Sequence, residues 1–187
     1  KTIKIKTKSK KELKEIIKEK FLENLKFNCR SDVRIGIPLS GGIDSSSIAC
    51  GLRHLFPDMD IHTFTYKAKD QSFNESKWAD KVNKFIGAVS HEILISPNSL
   101  INDLNNLINA QGEPFVSTSV YAGYCVYKNI NESDIVVSLD GQGADELLGG
   151  YQGYVGQRIL SMLESRQYLK LIKFLINWKN LRNSSYL

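Results

Sequence analysis

"VRIGIPLSGGIDSSSIACGLRHLF", residues 33–56, passes from a short run of branched apolar residues through Ser40-Gly41-Gly42 into a segment with helical spacing. Strand, loop and helix in that order place glycines and hydroxyls where a chain leaves a strand and opens a helix. Glycines there let the backbone approach an anion. The serine hydroxyls and the free N–H groups of the first turn supply donors, and the helix dipole favours negative charge. Asp44 within the loop would repel a phosphate by Coulomb's law unless a cation stood between them, and Mg²⁺ prefers one or two carboxylates plus phosphate oxygens. The same residues also fit a capped turn, in which Ser40 or Asp44 accepts from the first-turn N–H groups and Gly41-Gly42 supplies turn geometry.

The alternation recurs outward from this stretch. "IHTFTYK" (61–67) and "HEILIS" (91–96) have strand character, and "DIVVSLD" (134–140) that of a buried strand. "NESKWADKVNKFIGA" (74–88), "NSLINDLNNLINA" (98–110) and "TSVYAGYCVYKNI" (118–130) have helical spacing. Strands alternating with helices predict an α/β fold, a parallel β-sheet with helices on both faces. Pro97-Asn98-Ser99 and Ser117-Thr118-Ser119 offer caps at helix starts, and Gly87 stands where a helix stop is wanted. An amphipathic helix precedes the sheet: "KSKKELKEIIKEKFLENLKFN" (8–28) sets Leu13, Ile16, Ile17, Phe21 and Leu25 on one face. These patterns divide the chain into that N-terminal helix (1–30), an α/β core (31–155) and the start of a helical part (156–187).

With 187 residues and 42% apolar content, the chain has material for one sizeable core. The formal charge of +5 is uneven: residues 1–34 carry 12 Lys/Arg against 5 Asp/Glu, and residues 35–187 carry 13 against 15. The body therefore lacks the basic excess that phosphate-backbone binding draws on, and no nucleic-acid partner is expected. No stretch approaches the ~20 uninterrupted apolar residues of a bilayer span, and the lysine-rich start lacks a signal-peptide apolar region. A cytoplasmic protein with no membrane partner is expected. Cys29, Cys50 and Cys125 have neither zinc nor disulfide spacing and are expected to be small buried thiols. His54, His62 and His91 lack metal spacing and are expected to be structural. Walker, dinucleotide-binding and serine-hydrolase loop patterns are all missing. "RQYLKLIKFLINWKNL" (166–181) is apolar on more than one face, which predicts packing on several sides and a chain that is part of a longer protein.

A second glycine-rich loop, "SLDGQGADELLGGY" (138–151), offers Asp140, Asp145 and Glu146 after an expected strand. Alone it fits a capped short helix ended by Gly149-Gly150. Paired with the first loop at one sheet edge, it can add a second carboxylate to a metal-nucleotide site, since ligands of parallel α/β sheets bind beyond the strands' carboxyl ends.

"LSGGIDSS" resembles the pyrophosphate loop of the PP-loop ATP pyrophosphatase superfamily, with its adenine nucleotide alpha hydrolase-like fold. "DGQGADELLGGY" resembles the second ATP-site loop of the asparagine synthetases and their amidotransferase relatives. "RSDVRIGIPLSGG", "HTFTY" and "AQGEPFVSTSVYAGYCVYK" extend the likeness over about residues 12–165. The resemblance implies a glutamine-hydrolysing type of ligase. ATP adenylates a carboxylate, the aspartate side chain, with release of pyrophosphate, and ammonia then displaces AMP to form the amide. It implies ATP and Mg²⁺ as cofactors, with Ser40, Gly41, Gly42, Ser45 and Ser46 on pyrophosphate. Asp44 and Asp145 would hold Mg²⁺, and Leu39, Tyr66, Asp140 and Gly141 would line the adenosine pocket. It further implies a glutaminase domain N-terminal to this chain and a phosphate-contacting lysine beyond Leu187, and it leaves a homodimer open.

The chain departs from the family pattern at Gln142, where many asparagine synthetases carry an acid thought to accept the ammonia proton, and at Gly112, where close bacterial relatives carry an acid. Either Glu146 or Glu113 takes the base role, or the acceptor is not free aspartate. An amidotransferase or cyclase acting on another carboxylate is therefore the alternative enzyme. A non-catalytic nucleotide-binding domain is the alternative from another class.

Overall fold

The structure, a computed structural model, describes residues 9–31, 33–67 and 76–183. Lys8, Asn74 and Glu75, included in the expected helices, lie outside the described residues. The chain divides into two compact units, Lys1–Gly141 and Gln142–Leu187. They part within the second glycine-rich loop, earlier than the boundary expected after residue 155.

The first unit holds helix α1 (Lys10–Asn28), then β1 (Ile35–Pro38), α2 (Ile43–Leu55), β2 (His62–Lys67), α3 (Ser76–Ile86), β3 (Val89–Leu94), α4 (Pro97–Gln111), α5 (Thr118–Glu132) and β4 (Val137–Ser138). The four strands form one sheet in the order β3-β2-β1-β4. Every pairing is parallel, with Gly36 opposite His62, Ile35 opposite Val137 and Phe64 opposite His91. The expected α/β fold with a parallel sheet is the one observed. Period-two alternation along the strands sends side chains to two cores. Ile37, Leu39 and Ile61 pack with Ile48, Ala49 and Leu52 of α2, Ala79 and Ile86 of α3, and Leu25 of α1. Phe64 and Ile93 pack on the other face with Leu107 of α4 and Tyr121, Cys125, Val126 and Ile130 of α5.

Buried polar groups between the sheet and α3 are paired, as their desolvation demands. Thr63 donates to Asn83 Oδ1 at 2.7 Å, and Asn83 donates to Ser90 Oγ at 2.9 Å, so α3 is fastened to β2 and β3. Helix starts are capped where serines allow: Ser9 in a reciprocal box with Glu12, Ser96 on Ser99 N–H, and Ser117 on Ser119 N–H.

Four expectations change. The cap of α4 is Ser96, one residue ahead of Pro97, which occupies the first turn where its missing N–H costs nothing. The expected strand 134–140 shrinks to Val137–Ser138, and Val136 is 73% exposed while Ile135 is buried. β4 is an edge strand of the sheet, with a ladder on one side, so the buried reading of that run holds for Ile135 alone. On α1 the apolar face is present, but only Leu25 is buried, and Leu13 and Ile17 are exposed. Of the three thiols only Cys125 is fully buried, while Cys29 and Cys50 are half-buried, each thiol pushed up by burial.

The second unit contains α6 (Ala144–Leu148), α7 (Gln152–Glu164) and α8 (Tyr168–Asn183). Met162 is its buried apolar side chain among the described residues, and Leu169, Ile172 and Ile176 of α8 are exposed.

His62 Nδ1 and His91 Nε2 meet at 3.1 Å between adjacent strands, and the His91 ring stacks on Phe64. Burial, then the neighbouring His62, holds His91 below the usual histidine range. A depressed histidine favours the neutral folded form, so its contribution is present above about pH 6.5 and is lost as pH falls below that. Urea denaturation at successively lower pH should show stability falling below that point, and a smaller fall in His91→Gln. An Ile37→Ala variant should lose about 2–5 kcal/mol in the same assay.

Candidate functional site

Because all four strands run parallel, their carboxyl ends share one edge, and β1 and β4 are neighbours there. Ser40–Ser46 leaves β1 at that edge, and Asp140–Gly141 leaves β4 beside it. The two segments touch: a Cβ added to Gly141 would lie 3.0 Å from Asp44 Cβ and 3.2 Å from Ser45 N. A side chain there would crowd both neighbours, which would have to give by a few tenths of an ångström.

The capped-turn alternative for the first loop does not hold. Gly42 is the N-cap of α2 and no side chain caps this helix. Ser40 Oγ instead accepts the Gly42 N–H at 3.1 Å and shares a hydrogen bond with Ser45 Oγ at 3.2 Å. Asp44 lies inside the first turn, half-buried. The N–H groups that a helix leaves unpaired at its start are thus left without a capping side chain, and Ser46 Oγ beside them is buried with no hydrogen-bond partner. With glycine at the N-cap the missing side-chain cap costs only a few tenths of a kcal/mol, and a buried unpaired hydroxyl costs about 1–3 kcal/mol. An anion with oxygen acceptors satisfies the open N–H groups.

Gly41 shapes the loop through a left-handed φ of +85°. A Cβ there would meet Ala79 N at 2.6 Å and Trp78 Cβ at 2.8 Å. The start of α3 therefore packs directly against the loop, and Lys81 Nζ sits 4.1 Å over the Trp78 ring.

Other sequence-selected residues fall into four groups. Leu39 is buried in the core, its N–H bonded to Phe64 O at 2.8 Å and its carbonyl accepting from Thr65 Oγ1 at 3.0 Å. Its side chain anchors the loop from below. Tyr66 is exposed near the end of β2, and Glu113 is exposed just after the left-handed Gly112 that closes α4. Asp140 accepts a short hydrogen bond from Tyr127 of α5. Asp145, Glu146 and Gln142 belong to the second unit. There Asp145 folds against its own helix end, with Oδ1 1.8 Å from where a Gly150 Cβ would stand, and Glu146 accepts from the Tyr151 hydroxyl at 2.9 Å. Gly149 in left-handed conformation ends α6, as the capped-short-helix pattern predicts. Trp78 and Tyr127 escape sequence reading, since their partners lie 37 and 13 positions away and no local pattern links them.

A Mg²⁺ ion would find in Asp44 a carboxylate that makes no hydrogen bond or ion pair among the described residues. No cluster of three or more His, Cys, Asp and Glu exists among the described residues.

Residues 17–184 match the family described as asparagine synthase. The chain belongs to the asparagine synthase family. It is 31% identical over 138 residues to asparagine synthetase (glutamine-hydrolyzing) 1 of Bacillus subtilis strain 168, covering 74% of this chain and 21% of that protein. It is 33% identical over 139 residues to asparagine synthetase (glutamine-hydrolyzing) of Rattus norvegicus, covering 70% and 24%. It is 24% identical over 156 residues to amidase chry2 of Gibberella zeae, covering 76% and 23%. The chain spans about a fifth to a quarter of the length of these relatives. Among the described residues, no helix is long and apolar enough to cross a membrane.

Gly41→Ala places a methyl group against backbone at a left-handed position, so urea denaturation should register a loss of about 1–3 kcal/mol. A loss below about 0.5 kcal/mol would mean that the loop has room that the contacts with Trp78 and Ala79 deny.

Proposed function

We propose that this chain is the nucleotide-binding core of an ATP-dependent amide-forming ligase, which adenylates a carboxylate, most simply the aspartate side chain, and then transfers ammonia to it. The observation that carries the reading is the uncapped start of α2 behind Gly41-Gly42, with Ser46 Oγ buried and unpaired beside it. Family membership supplies the reaction class. ATP, as substrate, would lay its β- and γ-phosphates on Ser40, Gly41, Gly42, Ser45 and Ser46. Backbone N–H groups aimed at the departing pyrophosphate stabilise the charge that grows there, at no cost of reorganisation. Tyr66, Asp140 and Gly141 would line the adenosine side, with Leu39 supporting from the core.

Asp44 would hold Mg²⁺, and Asp145 is its second ligand on resemblance alone. When bound, the ion screens phosphate charge from the carboxylates and polarises the leaving group. Glu146 and Glu113 are the carboxylates in line to accept an ammonia proton. By the same reading, glutamine is the nitrogen source, hydrolysed by a domain elsewhere in a longer cytoplasmic protein.

Gln142 and the likeness to a relative named as an amidase favour a second reading, in which the acceptor is another carboxylate. Pyrophosphate–ATP exchange in the full-length protein separates the two. Exchange stimulated by aspartate supports the first, and exchange indifferent to aspartate but stimulated by a peptide or a small multi-acid metabolite supports the second. In either case Asp44→Ala should lower exchange by at least about 100-fold. Near-normal exchange in that variant removes Asp44 from the metal site. Absence of exchange with every carboxylate, together with failure of ATP to raise the melting temperature, would sink the nucleotide reading, since ATP at 100 times its Kd adds about 2.7 kcal/mol.

A further inference from the structure

The end of β4 is gripped from both faces of the sheet. On the face of α2, Gly141 rests against Asp44 and Ser45, where a Cβ would stand 3.0 Å from Asp44 Cβ. From α5, on the opposite face, the Tyr127 hydroxyl donates to Asp140 Oδ2. Helical side chains lean toward their helix N-terminus, and α5 starts at the carboxyl edge, so the Tyr127 ring points up toward the strand ends. β4 contributes Val137 and Ser138 to the ladder, paired with Ile35 and Gly36, and the Leu139 N–H donates to Gly36 O at 3.0 Å. These backbone ties stop one residue short of Asp140. The side-chain bond from α5 continues the hold where the ladder ends.

We propose that Tyr127 is a positioning residue of the nucleotide site: its hydroxyl, through Asp140, sets the 140–141 backbone against the first turn of α2. The inference rests on the nucleotide reading above. Burial, then the bond to Asp140, pushes the Tyr127 hydroxyl up to about 12, so it remains a proton donor throughout the neutral range. A hydrogen bond to a carboxylate is among the stronger kinds and fixes direction as well as distance. Removing the hydroxyl while keeping the ring leaves the packing of α5 in place and takes from Asp140 its hold on α5.

Isothermal titration of the full-length protein with ATP and Mg²⁺ tests this in the wild type, Tyr127→Phe and Tyr127→Leu. The expected result is at least a five-fold weaker Kd in Tyr127→Phe, with a ligand-free melting temperature close to wild type. Tyr127→Leu should melt lower but weaken ATP little beyond the Phe variant. In pyrophosphate exchange, the KM for ATP should rise by a larger factor than kcat falls. Wild-type affinity in Tyr127→Phe overturns the proposal, whether or not Tyr127→Leu is impaired, because the hydroxyl then does no positioning. A drop in melting temperature with Kd unchanged overturns it equally and leaves Tyr127 a packing residue. Failure of the wild type to bind ATP overturns the nucleotide reading itself, an outcome distinct from both.

Discussion

The first turn of α2 is the constraint on which the rest of the structure depends. With glycine at its N-cap, this helix start forgoes a few tenths of a kcal/mol, and it also carries an unpaired buried hydroxyl at Ser46. Such a start persists because the body of the helix is well buried: Ile48, Ala49 and Leu52 pack against Ile37, Leu39 and Ile61 of the sheet. The large side chains among them, such as Ile48 and Leu52, contribute about 1.5–3 kcal/mol each on burial, which is enough to offset the unmet polar groups ahead of them. The core thus holds the helix in place, and its first turn is left open at the carboxyl edge of the sheet.

Strand order then decides what meets that turn. Because β4 pairs with β1 rather than with an outer strand, the chain leaving β4 emerges beside the loop leaving β1. Gly141 eases the contact by having no side chain, and Gly41 does the same on the other flank, where the start of α3 presses against the loop. The loop is held between two backbones with no slack on either side. Its shape is therefore set by neighbours distant in sequence, and its own hydrogen bonds, Ser40 to Gly42 and to Ser45, add a local brace.

Much of this was legible in the sequence. The switch from branched apolar runs to helical spacing located β1, β2, β3 and the helices between them: β1 and β2 are central and largely buried, whereas β3, at the sheet edge, buries only Ile93. The run at 134–140 misled, because its branched residues resemble a buried strand while its edge position leaves Val136 exposed. Helix α7 left little trace, with Gly153 and Gly156 interrupting an otherwise modest pattern. The choice between a capped turn and an open one at Ser40–Ser46 could not be made from residue types at all. A serine ahead of a helix can accept from the helix or from the loop, and only the backbone path, fixed by Trp78, Ala79 and Gly141, selects the loop. Tyr127 was invisible for the same reason, since its partner is brought to it by the crossover from α5 to β4.

Asp44 carries the last step. A carboxylate in the first turn of a helix already interacts favourably with the dipole and with the open N–H groups. A phosphate brought to the same turn competes for the same field, and two anions a few ångströms apart repel by about 4 kcal/mol at an effective dielectric of 20. A divalent cation between the two would turn the repulsion into attraction by binding both groups. Under the nucleotide reading, the position of Asp44 within this turn therefore makes phosphate binding conditional on the metal, so that ATP without Mg²⁺ is a poor ligand for this loop.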